Sequence, residues 1–128
     1  MELSNQKLEE IRQTIKLTLI KIGIRCDLTG FQYICYGVEC VIKNPSIIDN
    51  LCKDLYIEIA KKHNLKHYST IERNIRHAID LTFRKKGFYV LNEMFNTTLY
   101  TKHQKPTSGE LIRLVSEYYL LGLYKNVT

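Results

Sequence analysis

The sequence has little proline and glycine, and it has no tryptophan. Two prolines and six glycines are too few for a collagen-like chain or a flexible linker. No apolar run approaches the roughly 20 residues that cross a bilayer. The first residues lack the basic start and apolar stretch of a signal peptide. We therefore expect one soluble, cytoplasmic domain over residues 1–128 that has no membrane partner.

The cysteines also lack the spacing of a metal site. They form no Cys-x-x-Cys pair, and no histidine pair follows them at zinc-finger spacing. Without a secretion signal, a disulfide framework is not expected. We interpret Cys26, Cys35, Cys40 and Cys52 as reduced thiols, most of them packed as small hydrophobic groups. Incidental oxidation or an unforeseen metal site is the alternative, and we expect neither a metal nor another cofactor.

Signatures of catalysis are missing as well. The sequence contains no P-loop, dinucleotide fingerprint or nucleophile elbow. His63 and His67 have the spacing of metal ligands on a helix, but a predicted turn separates them and no Glu-x-x-His motif accompanies them. We expect a protein that is not an enzyme.

What the sequence does contain is an excess of positive charge. Nineteen Lys and Arg residues stand against 13 Asp and Glu, which gives a formal net charge of +6. An excess of this size on a small domain suits a polyanionic partner such as nucleic acid. The deciding question is whether the basic residues share one face of the fold.

Apolar residues recur at helical spacing through almost the whole chain, which predicts an all-α fold of about six helices. A first amphipathic helix is expected between a Ser4 cap and Gly23. The second runs from about Phe31 to Lys43 and ends before Pro45, because the residue before proline is pushed out of the α region. The apolar stripe of the first helix consists of Leu8, Ile11, Ile15, Leu19 and Ile22.

Capping signatures mark the later helices. Ser46 is expected to cap a third helix that ends near residues 62–64. A capping box of Ser69 and Glu72 opens a fourth helix, expected to run to about Lys86 and stop at Gly87. A short fifth helix should hold residues 90–95, and residues 96–104 are ambiguous because they have β character but no partner strand. A second capping box, Thr107 with Glu110, opens the last helix.

The stretch from Leu55 to Phe83 is typical of a helix-turn-helix, with its turn over residues 64–68. At about 100° per residue, the second helix has an apolar side formed by Ile71, Ile75, Ala78, Ile79 and Thr82. Its other side carries Thr70, Arg73, Arg76, His77 and Arg84, together with Asp80. One side can therefore be buried while the other offers long hydrogen-bond donors.

The polar side of this helix fits a DNA-reading surface. Arginine at Arg73 and Arg76 can donate two hydrogen bonds to one guanine. Glu72 can accept from a cytosine amino group or hold an arginine in place. The amides at the helix start, near Ser69, attract phosphate. The alternative is a solvated face of an ordinary amphipathic helix.

Several separated motifs resemble one known family. They are residues 59–64, the core Glu-Arg-x-Ile-Arg-His-Ala-Ile over residues 72–79, and flanking matches at residues 22–24, 30–33 and 105–112. In this order they resemble the C-terminal DNA-binding domain of the master sporulation response regulator of endospore-forming bacteria, the stage-zero sporulation transcription factor A. The resemblance extends from about Ile11 to Tyr119.

The resemblance implies a six-helix domain that binds a short box in double-stranded DNA, as a homodimer or as tandem copies. Base contacts would come from Glu72, Arg73 and Arg76, with Thr70 at a further base-contacting position. Backbone phosphate contacts would come from Ser69, His77, Lys105 and Thr107. The family usually has arginine at the position of Thr70, so one base contact would be weakened or altered.

Further departures shape two hypotheses. The family's proline near Ile57 is missing, and residues 85–91 do not follow its pattern. We also expect its receiver domain to be absent, since the chain starts with Met1 where the family's linker would lie. The first hypothesis is a stand-alone transcription regulator. The second is an interaction module that pairs with, or competes against, a full-length sporulation regulator. The pairing surface would be the end of this chain, from Tyr118 to Tyr124. Plain core packing would also explain the apolar residues of that segment.

Overall fold

The structure, a computed structural model, describes residues 4–49 and 53–125, and within these ranges it contains six α-helices and no strand. The predicted all-α fold is confirmed. The helices are α1 (Asn5–Ile22), α2 (Thr29–Lys43), α3 (Lys53–Lys62), α4 (Ser69–Phe83), α5 (Gly87–Phe95) and α6 (Ser108–Leu120). Short 3₁₀ helices cover Pro45–Ile48 and Leu123–Lys125. No helix in the described part of the chain is long and apolar enough to cross a membrane.

Helix α2 lies at the centre of the fold. It packs against α1, α3, α4 and α6, and its Ile34 and Val38 are completely buried. The helix is apolar on most of its surface, as expected for an element covered on several sides. Each of these four helices turns an apolar face toward α2, while α5 packs against α1 and α4.

Helices α2 and α4 approach each other closely at Gly30. A Cβ atom at Gly30 would fall on the carbonyl oxygen of Asn74 and would lie 2.9 Å from its carbonyl carbon and 3.1 Å from Ala78 Cβ. Backbone atoms cannot move aside as the end of a flexible side chain can. Glycine at this position therefore sets how deeply α4 sits against the core.

The predicted ends of α1 are confirmed. Ser4 accepts a hydrogen bond from the backbone N–H of Lys7, 3.1 Å away. Gly23 adopts a left-handed conformation, with φ of 105°, and its N–H donates to the carbonyl of Leu19. This is a common helix ending, because glycine takes up positive φ without steric cost.

Two predicted helix boundaries are wrong. Ser46 does not cap α3, because Pro45–Ile48 forms its own 3₁₀ helix and Ser46 Oγ donates to Asn44 Oδ1 instead, at 2.8 Å. Helix α4 ends at Phe83, and Gly87 begins α5 rather than ending α4. A Cβ at Gly87 would lie 2.9 Å from Thr82 Cγ2, so glycine is needed where α5 folds back on α4.

Residues 96–104, whose structure the sequence left ambiguous, form a loop held by one side chain. Asn92 Nδ2 donates to the carbonyl of Tyr100 at 2.7 Å, and Asn92 Oδ1 accepts from the backbone N–H groups of Leu99 and Tyr100 at 2.8 and 3.1 Å. The amide of Asn92 thus provides the hydrogen bonds that a partner strand would have supplied. Residues 102–105 of this loop lie against the end of α4.

A buried carboxylate joins α1 to α2. Glu39 is 4% exposed and accepts hydrogen bonds from Arg12 Nε at 2.8 Å and from Lys43 Nζ at 2.9 Å. Burial alone would raise the pKa of Glu39, but the hydrogen bonds and charges of these two partners outweigh it, so the pKa lies below its ordinary value. The folded state therefore favours the ionised carboxylate.

Alanine at Gly30 should destabilise the fold more than alanine at Gly37 of the same helix. Both changes gain about 1 kcal/mol of helix propensity. The Cβ at Gly37 meets only the ends of the Ile59 and Ile112 side chains, each at 3.2 Å. We expect Gly30→Ala to lower the free energy of unfolding by about 1–3 kcal/mol through overpacking, measured by thermal and urea denaturation. A Gly30→Ala protein as stable as Gly37→Ala would contradict this account.

Replacing Glu39 with glutamine should destabilise the protein at neutral pH by about 1–3 kcal/mol, because two cations lose their carboxylate. A carboxylate whose pKa is lowered by folding adds stability above its unfolded pKa and loses it as the pH falls through the folded value. The difference between wild type and Glu39→Gln should therefore narrow below about pH 4. Glu58→Gln, which disrupts the exposed pair with Lys61, is the control and should have little effect. A difference independent of pH would refute this role.

Candidate nucleic-acid interface

Helices α3 and α4 form the predicted helix-turn-helix. Asn64 adopts a left-handed conformation, with φ of 57°, and ends α3. The N–H of Leu65 then donates to the carbonyl of Ala60 at 2.9 Å, and that of Asn64 to the carbonyl of Lys61 at 3.2 Å. These bonds satisfy carbonyls at the end of α3 and reverse the chain. The turn between the two helices occupies residues 63–68.

His63 holds the start of this turn by a hydrogen bond and a ring contact. Its Nδ1 lies 2.9 Å from the carbonyl oxygen of Ile59, so this nitrogen carries the proton and donates. Its ring stands edge-on to Tyr33, with the ring centroids 4.8 Å apart. Among the described residues, no group of three His, Cys, Asp or Glu side chains is placed to hold a metal ion.

The start of α4 differs from the prediction. Tyr68 occupies the capping position in a helical conformation, so Ser69 is already the first helical residue and no side chain caps the helix. The predicted capping box of Ser69 and Glu72 is therefore wrong, because a capping serine needs an extended backbone. Glu72 instead binds Arg76 one turn later. The first amides of α4 are left for solvent or a ligand.

The two sides of α4 divide as the helical wheel indicates. The side chains of the predicted apolar side are all buried: Ile71, Ile75, Ala78, Ile79 and Thr82. On the opposite side, Arg73, Arg76, His77 and Arg84 are exposed, and Thr70 and Asp80 are half-buried. No other segment of the described chain covers the arginines, so their guanidinium groups are accessible to a partner.

The charged groups on this side are partly paired with one another. Glu72 and Arg76 form an ion pair across one turn, and their side chains remain 41% and 61% exposed. Arg73, one turn from Arg76, forms no ion pair with any described residue. The guanidinium of Arg76 is therefore held by a carboxylate, whereas that of Arg73 is free to be hydrated or to bind a partner.

The loop before α6 brings further predicted residues to α4. Lys105 Nζ lies 2.5 Å from Asp80 Oδ1, an ion pair between residues far apart in sequence that the sequence analysis missed. Thr107 begins α6 with the predicted capping box, now confirmed: its Oγ1 accepts from the N–H of Glu110 at 3.1 Å, and Glu110 Oε1 accepts from the N–H of Thr107 at 2.8 Å. Thr107 therefore holds the start of α6 while its hydroxyl proton stays available.

A groove runs between α4 and the start of α6. Four of the predicted contact residues line it: Glu72, Arg76, Lys105 and Thr107. The other four lie on α4 outside the groove: Ser69, Thr70, Arg73 and His77. The lining residues are Tyr56, Glu72, Arg76, Ile79, Asp80, Lys105, Pro106, Thr107, Ser108 and Gly109. The groove brings hydrogen-bond donors of α4 and of the start of α6 to one surface.

None of the described cysteines lines this groove, and two of them, Cys35 and Cys40, are largely buried. Burial raises the pKa of Cys35 to about 12 and that of Cys40 to about 11, so both remain protonated thiols at neutral pH. Cys26 is an exposed free thiol, and Cys52 lies outside the described residues. A protonated, buried thiol packs as a small hydrophobic group.

Comparison with known families gives one match of direct relevance. The family model described as "Sporulation initiation factor Spo0A C terminal" matches residues 15–119. The match includes all of α2 to α5, nearly all of α6 and every residue of the candidate interface, and it begins within α1, at Ile15.

Proposed function

The chain belongs to the family of Spo0A C-terminal domains, whose members bind DNA and regulate transcription in sporulation, and on this premise we propose that α4 reads base edges in the major groove. The observation that supports this most directly is the division of α4 into a buried apolar side and an exposed side with two arginines one turn apart. A helix held in this way can enter the groove without unfolding any part of the core. The major groove admits an α-helix, and its base edges distinguish all four base pairs.

The two arginines have different surroundings and therefore different proposed roles. Arg73 has no ion-pair partner among the described residues and is available to donate two hydrogen bonds to O6 and N7 of a guanine. Arg76 is held by Glu72, which limits its rotamers before binding. Glu72 can keep that position or accept from a cytosine amino group next to the guanine. The pair thus provides a preorganised donor and acceptor.

Phosphate contacts would flank the bases on two sides. Ser69 lies at the uncapped start of α4, where backbone amides and the helix dipole favour an anion. His77 is exposed on α4, while Lys105 and Thr107 lie across the groove at the start of α6. The Lys105–Asp80 pair holds the ammonium group near its proposed phosphate. Together these groups would fix the register of α4 on the duplex.

Thr70 would alter specificity at one position. Family members usually have an arginine there, according to the resemblance in sequence. The shorter side chain of Thr70 is half-buried. The backbone carbonyl of Thr70 accepts a hydrogen bond from Asn74 Nδ2 at 2.8 Å. A threonine methyl group can contact the methyl group of thymine but cannot form the two-bond contact to guanine. We therefore propose that this chain prefers a variant of the family's box.

Replacing Arg73 with alanine should weaken binding and relax the preference for one base pair. The duplex is first obtained by selection from a random DNA pool with the wild-type protein, and affinities are then measured by fluorescence anisotropy on that duplex and on single-base-pair variants. We expect Arg73→Ala to cost about 1–3 kcal/mol on the selected duplex and to bind the variants at one base pair almost equally.

The matched control is Arg113→Ala, which removes the same charge from α6, where Arg113 lies 3.5 Å from Asp49. This variant should keep the wild-type base preference. Selection that enriches no motif, or an Arg73→Ala protein with unchanged discrimination at every base pair, would refute major-groove reading by Arg73.

A second candidate function, pairing with another family domain, is favoured by the end of the described chain. The expected core packing holds for Tyr118, which is buried, but Leu120 and Leu121 are 46% and 65% exposed. Tyr119 and Tyr124 stack beside them with ring centroids 4.9 Å apart. This apolar surface would contact a second copy on tandem boxes, or a full-length sporulation regulator.

Replacing Leu121 with serine should then lower cooperative binding to a duplex with two boxes but leave the affinity for one box unchanged. Leu17→Ser is the matched control, because Leu17 is a similarly exposed leucine on α1. Mobility shifts on one-box and two-box duplexes measure the cooperativity of DNA binding. Co-purification with a full-length family regulator measures whether the surface pairs with such a regulator. Wild-type protein that binds two boxes independently and does not co-purify would overturn this surface.

A further inference from the structure

A second basic surface lies at the far end of α4. The loop of residues 101–105 folds against this end and forms a groove there. The groove is lined by Asp80, Phe83, Arg84, Lys102, His103, Gln104 and Lys105. We call Arg84, Lys102 and His103, none of which the sequence analysis assigned to DNA contact, the distal basic surface.

The charges in this groove are unbalanced. Three permanent cations, Arg84, Lys102 and Lys105, share it with a single carboxylate, Asp80, which already binds Lys105. Arg84 and Lys102 form no ion pair with any described residue, and both are exposed. Two cations without a partner beside an occupied carboxylate create a site of positive potential, which attracts a polyanion.

The loop presents its cations in a defined position. The N–H of Gln104 donates to the carbonyl of Thr101 at 2.9 Å, which closes a turn with Lys102 and His103 at its tip. Gln104 Oε1 also accepts from the backbone N–H and hydroxyl of Thr101, at 3.1 and 3.3 Å. A turn closed by its own hydrogen bonds loses less entropy on binding than a disordered loop would.

The place of Arg84 relative to Arg73 identifies what this surface would meet. Arg84 directly follows α4 with helical backbone angles, φ −63° and ψ −29°, so it continues the helix. At about 100° and 1.5 Å per residue, it lies on the same side of the helix as Arg73 and roughly 16 Å further along the axis. The major groove is about 12 Å wide. If α4 contacts base edges with its N-terminal residues, as recognition helices of helix-turn-helix proteins do, and leaves the groove toward its end, Arg84 lies past those base pairs and near the phosphates.

We propose that the distal basic surface binds the phosphate backbone of duplex DNA outside the base pairs that α4 reads. This inference rests on the proposed function and extends it to a longer contact. The distal basic surface is continuous with the proposed interface, because Asp80 and Lys105 line both grooves. Arg84 and Lys102 supply charge to flanking phosphates, and His103 supplies a hydrogen-bond donor. The surface adds affinity and no base preference.

The test compares Arg84→Ala/Lys102→Ala with Lys16→Ala/Lys21→Ala, which removes the same charge from α1, a helix packed on α2, α5 and α6. Binding to the selected duplex is measured over a series of salt concentrations. The first variant should lose at least about tenfold in affinity at 0.15 M salt, and its salt slope should become shallower by roughly 2, near 0.9 for each lost phosphate contact. Its base preference should stay that of the wild type.

A second measurement locates the contact on the DNA. Neutral methylphosphonates replace the phosphates just outside the selected box, one flank at a time. Wild type and the α1 variant should lose affinity on one flank, and Arg84→Ala/Lys102→Ala should not lose further. Equal salt slopes for the two double variants, or equal sensitivity to the neutral flank, would overturn the proposal and leave only a general charge effect.

The two proposals fail in different ways. If wild type enriches a motif but the distal variant binds like the α1 variant, the distal surface is refuted and base reading stands. If wild type shows no base preference, base reading is refuted, and the salt slopes of the two double variants on a duplex of arbitrary sequence still decide whether the distal surface binds phosphate. Thermal denaturation of both double variants checks that they remain folded.

Discussion

The contact between the backbones of α2 and α4 determines what this protein can present to a partner. Asn74 lies in the middle of α4, and its carbonyl meets the α-carbon of Gly30 in α2, which carries no side chain. This contact fixes the depth and rotation of α4 together, since neither backbone can yield. The rotation then decides that Arg73, Arg76 and His77 face outward while Ile71, Ile75 and Ala78 are buried. The chemistry of the exposed side thus follows from packing at the opposite side.

The exposed side of α4 is not simply basic, and its acids restrict where a polyanion can be held. Glu72 and Asp80 each bind one cation, Arg76 and Lys105, so those cations are positioned but partly neutralised. The cations without such partners are Arg73, in the first half of α4, and Arg84, just past its end. In the proposed complex, base edges meet the first half of α4, where Glu72 can accept from an exposed amino group, and a phosphate backbone meets the end of the helix, beyond Asp80. The pattern of charge therefore matches a duplex better than a uniform anionic surface.

Periodicity was enough to predict the faces of the helices, because burial of one stripe depends only on the identity and spacing of side chains. It did not predict helix ends that depend on neighbours. Ser69 had the sequence of a cap, but the helical conformation of Tyr68 moved the helix start by one residue. Gly87 had the sequence of a stop, yet close packing against Thr82 makes it a start. The Lys105–Asp80 pair joins residues 25 positions apart, a separation that no local pattern contains.

The replacement of a family arginine by Thr70 gains its meaning from this arrangement. A site with one arginine fewer to contact a base has less direct readout. Contacts to the phosphate backbone, which do not depend on sequence, must then supply the affinity that is lost. The distal basic surface is proposed to make contacts of this kind. One arginine fewer at the start of α4, together with exposed charge past its end, would shift binding from bases toward the phosphate backbone. Such a domain would tolerate more variation in its box while depending more strongly on ionic strength.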